Sequence, residues 1–259
     1  MSRKVMLIFL LIMNAGRIAK IRLNEMLDAK KVKDFWDRRP DNYNKLSFES
    51  LASLENDPKF LDIKIRTEMQ KVFAWLPDLT GKTVLDLGAG VGQWAFRFQH
   101  EGAKKITAVE FSAAMIEVGK LEARKRNIDN VDFILSSAEN YCSQEQYDVI
   151  FISGLMIYLN DEQAEKLLGN LRAYSKPEST ILLRDGTGVG ERFEINNRYS
   201  ANLQAEYSAT YRTAEQYEDL FARHGFSLTR SENMFPEGHM LNKYPETRLR
   251  LYHFEQKND

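Results

Sequence analysis

Five apolar runs recur through the middle of the chain: TVLDLG (83–88), ITAVEF (106–111), VDFILS (131–136), YDVIFIS (147–153) and TILLRDG (180–186). Stretches with helical spacing separate them, at 92–101, 113–127 and 161–175, and another follows at 213–224. Continuous apolar strands alternating with helices predict a parallel sheet covered on both faces. Two later runs, FSLTRSE (226–232) and RLRLYHFE (248–255), have only loop between them. They predict an antiparallel hairpin that ends the sheet. The expected fold is therefore α/β: a doubly wound, seven-stranded, mostly parallel sheet with helices on both faces. Upstream, 28–38 reads as a helix that stops before Pro40. Residues 59–76 show helical spacing at Ile63, Ile65, Met69, Val72 and Phe73, before Pro77 and Gly81 break it.

The first 26 residues differ from the rest. Residues 1–4 are basic and 5–13 (VMLIFLLIM) are wholly apolar. The run is shorter than the ~20 residues needed to span a bilayer, and Arg17, Lys20 and Arg22 follow it. Three readings stay open: a packed or partner-facing helix, an interfacial membrane anchor or signal, or a true start at Met26. The chain has 259 residues with 36 Lys+Arg against 37 Asp+Glu, and a pI near 6.5. That balance argues against a protein built to grip nucleic-acid phosphates. A single cysteine, Cys142, excludes an internal disulfide and a Cys-rich metal site. It favours a reducing compartment, so a cytoplasmic protein is expected, with weak membrane association through 5–13 left open.

The strongest chemical signal follows the first strand: Asp86-Leu-Gly88-Ala-Gly90-Val-Gly92, with a helix behind it. Glycines permit a positive-φ turn and let a ligand approach the backbone. The spacing differs from the GxGxxG of dinucleotide sites. Asp86 puts a carboxylate where a pyrophosphate loop wants none, and it suits a cationic amine or sulfonium. Glu110 ends the second strand, where an acid can accept from both ribose hydroxyls. Ser136-Ser137-Ala138-Glu139 follows the third strand, placed to meet a base edge.

Together VLDLGAGVGQW, VEFSAAMIEVGK, SSAEN and YDVIFISGLMIYL resemble the class I S-adenosylmethionine-dependent methyltransferases, over about 81–185. The resemblance implies S-adenosylmethionine as cofactor. It would put Asp86, Gly88, Gly90 and Gly92 at the methionine part and Glu110 on the ribose hydroxyls. Phe111 and Met115 would flank adenine, and Ser137, Ala138 and Glu139 would meet its edge, with Ser153 at the end of strand four nearby. Relatives often carry Asp at the Ser137 position. FWDRRPDNY (35–43) is similar to the N-terminal lid of small-molecule members, with Trp36 and Tyr43 as candidates to close over the methionine end. The expected organisation is an appendage at 1–26, a helical lid at 27–80 and a catalytic domain at 81–259 with a substrate-lid insert at about 186–212.

Methyl transfer from a sulfonium is an in-line displacement, so much of the catalysis can come from placing the acceptor about 3 Å from the methyl. A base is needed only if the acceptor must lose a proton. Strand four lacks the Asn/Asp-Pro-Pro-aromatic motif of amino-methylating DNA enzymes. Cys142 is in no Pro-Cys motif, and no Asp ends strand four to start a magnesium site. No DNA substrate and no metal are expected. Tyr158 stands where many relatives have His, and it would orient the acceptor or serve as a base despite a phenol pKa near 10. Asp185 and Tyr211 are the other catalytic candidates. The segment from Arg184 to Arg212 reads as a mobile loop and a polar aromatic lid, or else a solvated helical hairpin. In it Arg184, Arg192 and Arg212 suit a carboxylate or phosphate, and Tyr207 suits a cationic amine. Thr213-x-x-Gln216 reads as a helix capping box. The expected activity is metal-independent transfer to a small-molecule N or O acceptor. The alternative is methylation of a protein N-terminal amine. RNA is disfavoured for want of a basic stripe.

Overall fold

Alternation inside the strands decides what each face of the sheet buries. Val84 packs with one layer and Leu85 with the other, and Val149 and Phe151 oppose Ile150 and Ile152 in the same way. Successive side chains point to opposite faces, and here both faces are apolar, so both are covered by helices. The computed structural model describes residues 27–257, apart from 44, 45, 54, 56 and 201–204. The expectations for residues 1–26, including the membrane segment and a start at Met26, lie outside the described residues.

The chain opens with α1 (Ala29–Arg38), a short turn at Arg39–Asn42, and α2 (Phe48–Leu51). The long α3 (Pro58–Trp75) follows, capped by Asp57 with Pro58 at its first position. The repeating part is β1 (Thr83–Leu87), α4 (Gln93–His100), β2 (Lys105–Glu110), α5 (Ala113–Arg126), β3 (Val131–Leu135), β4 (Tyr147–Ser153), α6 (Asp161–Tyr174) and β5 (Ser175–Gly188). Then come β6 (Phe193–Ser200), β7 (Ala205–Tyr211), α7 (Ala214–Arg223), β8 (Phe226–Asn233) and β9 (Thr247–Gln256). The seven-stranded sheet runs β3-β2-β1-β4-β5-β9-β8, with β9 antiparallel to both its neighbours. This is the sheet that the apolar runs predict. The order reverses between β1 and β4, and ligands of open α/β sheets bind beyond the strand ends at such a point.

Two cores flank the sheet. On one side α6 and α7 bury Leu167, Leu168, Leu171, Tyr217 and Phe221. On the other, α3 and α4 bury Val72, Trp75, Trp94 and Phe98 against Phe151. The helix starts follow local chemistry. Thr213 and Gln216 form the expected capping box, and Asn160 with Gln163 forms a second one. Each satisfies two backbone N–H groups that a helix start leaves unpaired.

The insert departs from expectation. It is neither a loose loop nor a helical hairpin: β6 and β7 make a separate antiparallel pair, joined to the main sheet by a bridge between Gly188 and Thr213. Tyr207, Ala209 and Tyr211 repeat with period two and pack with Ile195 against Val32 and Phe35 of α1. Tyrosine, isoleucine and threonine favour such a pleated, half-buried surface. Glycines here serve close approach, since a Cβ on Gly186 would lie 2.6 Å from the Tyr211 ring.

Candidate active site

A cavity of about 990 Å³ opens over the carboxyl ends of β1, β2, β4 and β5. Its walls are α1 and α3 on one side, the β6–β7 hairpin on another and the 235–249 segment on a third.

The glycine loop forms one end. Gly88, Gly90 and Gly92 all have positive φ, between 58° and 85°, a region other L-residues rarely adopt. The Gly88 and Ala89 N–H groups donate to the Val109 carbonyl, at 2.9 and 3.0 Å, which ties the loop to β2. Glu110 is 5% exposed. One of its oxygens accepts from Gly90 N at 2.8 Å and the other from Ser112 N at 2.9 Å. Burial raises its pKa, though these bonds pull the other way. Asp86 is only 1% exposed, and its Oδ2 has no hydrogen-bond partner among the described residues. Burial and the nearby Glu110 carboxylate push it up to about 7. A buried carboxylate with an unpartnered oxygen is costly, and a cation beside it would relieve that cost.

The far wall of this end holds Phe111, Met115, Ser137, Ala138 and Glu139. Ser137 Oγ accepts from Asn140 Nδ2 at 2.7 Å, and Glu139 accepts from Gln163 Nε2 at 3.4 Å.

The other end is aromatic. Tyr158, Tyr207 and Tyr211 line it, with hydroxyls 3.2 Å apart for the first pair and 3.3 Å for the second. Trp36 also lines it and meets Tyr158 edge-on at 5.4 Å. Burial raises all three phenols above their ordinary range. Asp185 is fully buried and accepts from Met156 N at 2.6 Å, Ile157 N at 3.3 Å and Gly186 N at 2.7 Å. Burial pushes it up to about 6. Its carboxylate thus anchors the Met156–Tyr158 turn that presents Tyr158.

Four of the expected residues lie outside the cavity lining. Tyr43 donates to Glu122 and accepts from Lys125, which clamps the lid onto α5 and turns the ring away from the cleft. Gly92 starts α4 against the Phe133 ring. Arg192 donates to Asp161 and Glu194. Arg212 donates to the Met156 and Leu159 carbonyls, both at 2.9 Å, and to Asp161. These two arginines hold structure together, whereas substrate anions were the expected partners. Arg184 does line the cleft, beside Ser153, to which it donates at 2.7 Å. Sequence reading missed Lys64, Glu68 and Arg97, which line the cleft from α3 and α4. Only the helical spacing of 59–76 hinted at that wall.

A family model for a methyltransferase domain matches residues 84–178, the span that carries the glycine loop, Glu110 and the Ala138 turn. Residues 84–178 thus carry a methyltransferase domain, and the fold is that of the class I S-adenosylmethionine-dependent methyltransferases. Phosphoethanolamine N-methyltransferase 1 of Triticum aestivum is 32% identical over 162 residues, covering 61% of this chain and 31% of that protein. The chain thus matches about a third of the length of its first curated relatives. Among solved structures, a Leishmania major S-adenosylmethionine-dependent methyltransferase aligns with a TM-score of 0.65 at 17% identity, over 90% of this chain and 89% of that one. A DhpI–SAH complex aligns at 0.63 and 16% identity, over 89% and 98%. The methyltransferase cofactor fits this cleft on the chain's own chemistry, because the orphaned Asp86 oxygen and the desolvated Glu110 suit a cationic ligand with hydroxyl donors.

Among the described residues, no helix is long and apolar enough to cross a membrane, and no group of three His, Cys, Asp or Glu side chains is placed to hold a metal ion.

Proposed function

We propose that this methyltransferase moves a methyl group from S-adenosylmethionine to the nitrogen of a small amine. The observation that carries the reading is the composition of one cleft. A buried Asp86, with one oxygen unpartnered among the described residues, stands at one end and three tyrosines with Trp36 stand at the other. Bound S-adenosylmethionine would supply an activated methyl on a cationic sulfonium. Asp86 and the Gly88–Gly90 loop would hold its methionine part and Glu110 its ribose. Phe111, Met115, Ser137, Ala138 and Glu139 would enclose adenine, with Ser153 bordering the methionine end.

Tyr158, Tyr207 and Tyr211 would orient the acceptor through hydroxyls and ring faces, since aromatic faces attract cationic amines. Their raised pKa keeps them neutral, so they serve as hydrogen-bonding groups and not as bases. The acceptor amine must then arrive already deprotonated. Trp36, α1 and the hairpin roof exclude water from the reacting atoms. The names of the Triticum, Arabidopsis, Zea and Caenorhabditis relatives, all phosphoethanolamine N-methyltransferases, support a small phosphorylated amine as acceptor. The test is transfer of radiolabelled methyl from S-adenosylmethionine to phosphoethanolamine, ethanolamine and a peptide with a free N-terminus. Labelling of a small amine alone supports the reading, and labelling of the peptide alone overturns it.

A further inference from the structure

We infer that Lys64, Glu68 and Arg184 form an anion subsite on the floor of the cleft that takes the carboxylate or phosphate of a bound ligand. The inference rests on the reading above and adds the group that ligand must carry.

Glu68 is 2% exposed and Arg184 8%. A single oxygen of Glu68 accepts from both cations, at 2.8 Å from Lys64 Nζ and 2.5 Å from Arg184 Nη2. Two cations thus share one carboxylate oxygen, and Asp185, the acid beside Arg184, is held by the backbone N–H groups of Met156 and Gly186. Arg184 also donates to Ser153, a neutral side chain. Arg184 Nε is buried with no hydrogen-bond partner among the described residues. Lys64 keeps a fifth of its side chain exposed, and an ammonium has three donors of which Glu68 takes one. The neighbouring Arg97 adds a further cation, engaged by Glu49. Burial disfavours the charge on Lys64 and Arg97 alike.

Buried cations are expensive unless each is paired, and all these groups face the ligand cleft. An anion delivered by a ligand would complete the pairing with charge-assisted bonds. Position allows two sources. Ser153 and Arg184 are register partners at the ends of β4 and β5, and β4 lies beside the β1 end that leads into the glycine loop. The anion is therefore either the methionine carboxylate of the cofactor or an anionic group on the acceptor.

The experiment compares wild type with Arg184→Met, Lys64→Met and Glu68→Gln by calorimetry. One arm titrates S-adenosylmethionine against its decarboxylated form. The other titrates inorganic phosphate into protein saturated with S-adenosylhomocysteine. The two Met variants should weaken the anionic probe of one arm by about tenfold, the worth of one hydrogen bond to a charged group. They should leave decarboxylated S-adenosylmethionine unchanged. Glu68→Gln removes the competing carboxylate and should tighten the same probe. A change confined to the first arm assigns the subsite to the cofactor, and one confined to the second assigns it to the acceptor. Equal effects on S-adenosylmethionine and its decarboxylated form with no effect on phosphate, or no effect in either arm, overturn the inference. Wild type that binds neither form of the cofactor would instead overturn the methyltransferase reading.

Discussion

The hydroxyls of Tyr158 and Tyr207 lie 3.2 Å apart across the acceptor end of the cleft, one carried by the turn after β4 and the other by β7. The pair joins the main sheet to the hairpin, and burial holds both phenols above their ordinary pKa. A phenol with a raised pKa is a poor base. Tyr158→Phe should therefore lower kcat by only about two- to tenfold, the worth of one hydrogen bond. The pH profile of kcat/KM should keep its shape. A loss of several orders of magnitude, with disappearance of a basic limb, would restore Tyr158 as the base.

Asp86 makes a pH prediction. Burial and Glu110 raise its pKa to about 7 in the folded protein, against about 3.9 in an unfolded chain. Between those values the folded state binds more protons than the unfolded one. Stability from this group is thus fully present below about pH 4 and lost as pH rises through 7. Asp86→Asn should raise the thermal midpoint of the ligand-free protein at pH 8, and the gain should shrink by pH 5. A cationic ligand favours the ionised carboxylate, so cofactor binding near pH 6.5 should release protons. Calorimetry in buffers of different ionisation enthalpy reads that release; none in wild type would contradict the pairing.

Glu110 both closes the glycine loop, through Gly90 and Ser112, and faces the cleft. Glu110→Ala should weaken the cofactor by about 1.5–3 kcal/mol, as expected for lost hydrogen bonds to a charged group. Glu110→Gln, which keeps an acceptor oxygen, should lose less. An unchanged dissociation constant in Glu110→Ala would rule out the ribose role.

Arg212 is 2% exposed and spends its guanidinium on two carbonyls and Asp161. Arg212→Ala should destabilise the fold by about 2–4 kcal/mol, because buried carbonyls lose their donors. Lysine should not rescue it, since an ammonium lacks the planar fork. Chemical denaturation measures this. A variant with wild-type stability and a raised KM for the acceptor alone would return Arg212 to substrate binding.

The parts of the site that could be read from sequence are those set by local spacing at strand ends. Asp86, Gly88 and Gly90 follow β1 directly, Glu110 ends β2, and Ala138 follows β3, so naming the strands placed them. The Lys64–Glu68–Arg184 cluster was hidden because Glu68 meets a partner 116 residues away, and helical periodicity does not say which charged residue turns inward. Arg212 looked like a ligand for anions because two of its partners are backbone carbonyls, which leave no trace in a residue pattern, and the third, Asp161, lies 51 residues away. Tyr43 was misplaced for a similar reason: its Glu122 and Lys125 contacts arise only when the lid packs on α5. Tyr207, Ala209 and Tyr211, with Ser208 and Thr210 between them, have the period of a strand, but only pairing with β6 shows which partner that strand takes.

The most direct test of the account is calorimetric titration of the purified chain with S-adenosylhomocysteine, with NAD as control. The account predicts saturable binding of one S-adenosylhomocysteine per chain, lost in Gly90→Arg while the thermal transition persists, and no binding of NAD. Wild-type affinity in Gly90→Arg, or binding of NAD in place of S-adenosylhomocysteine, would contradict it.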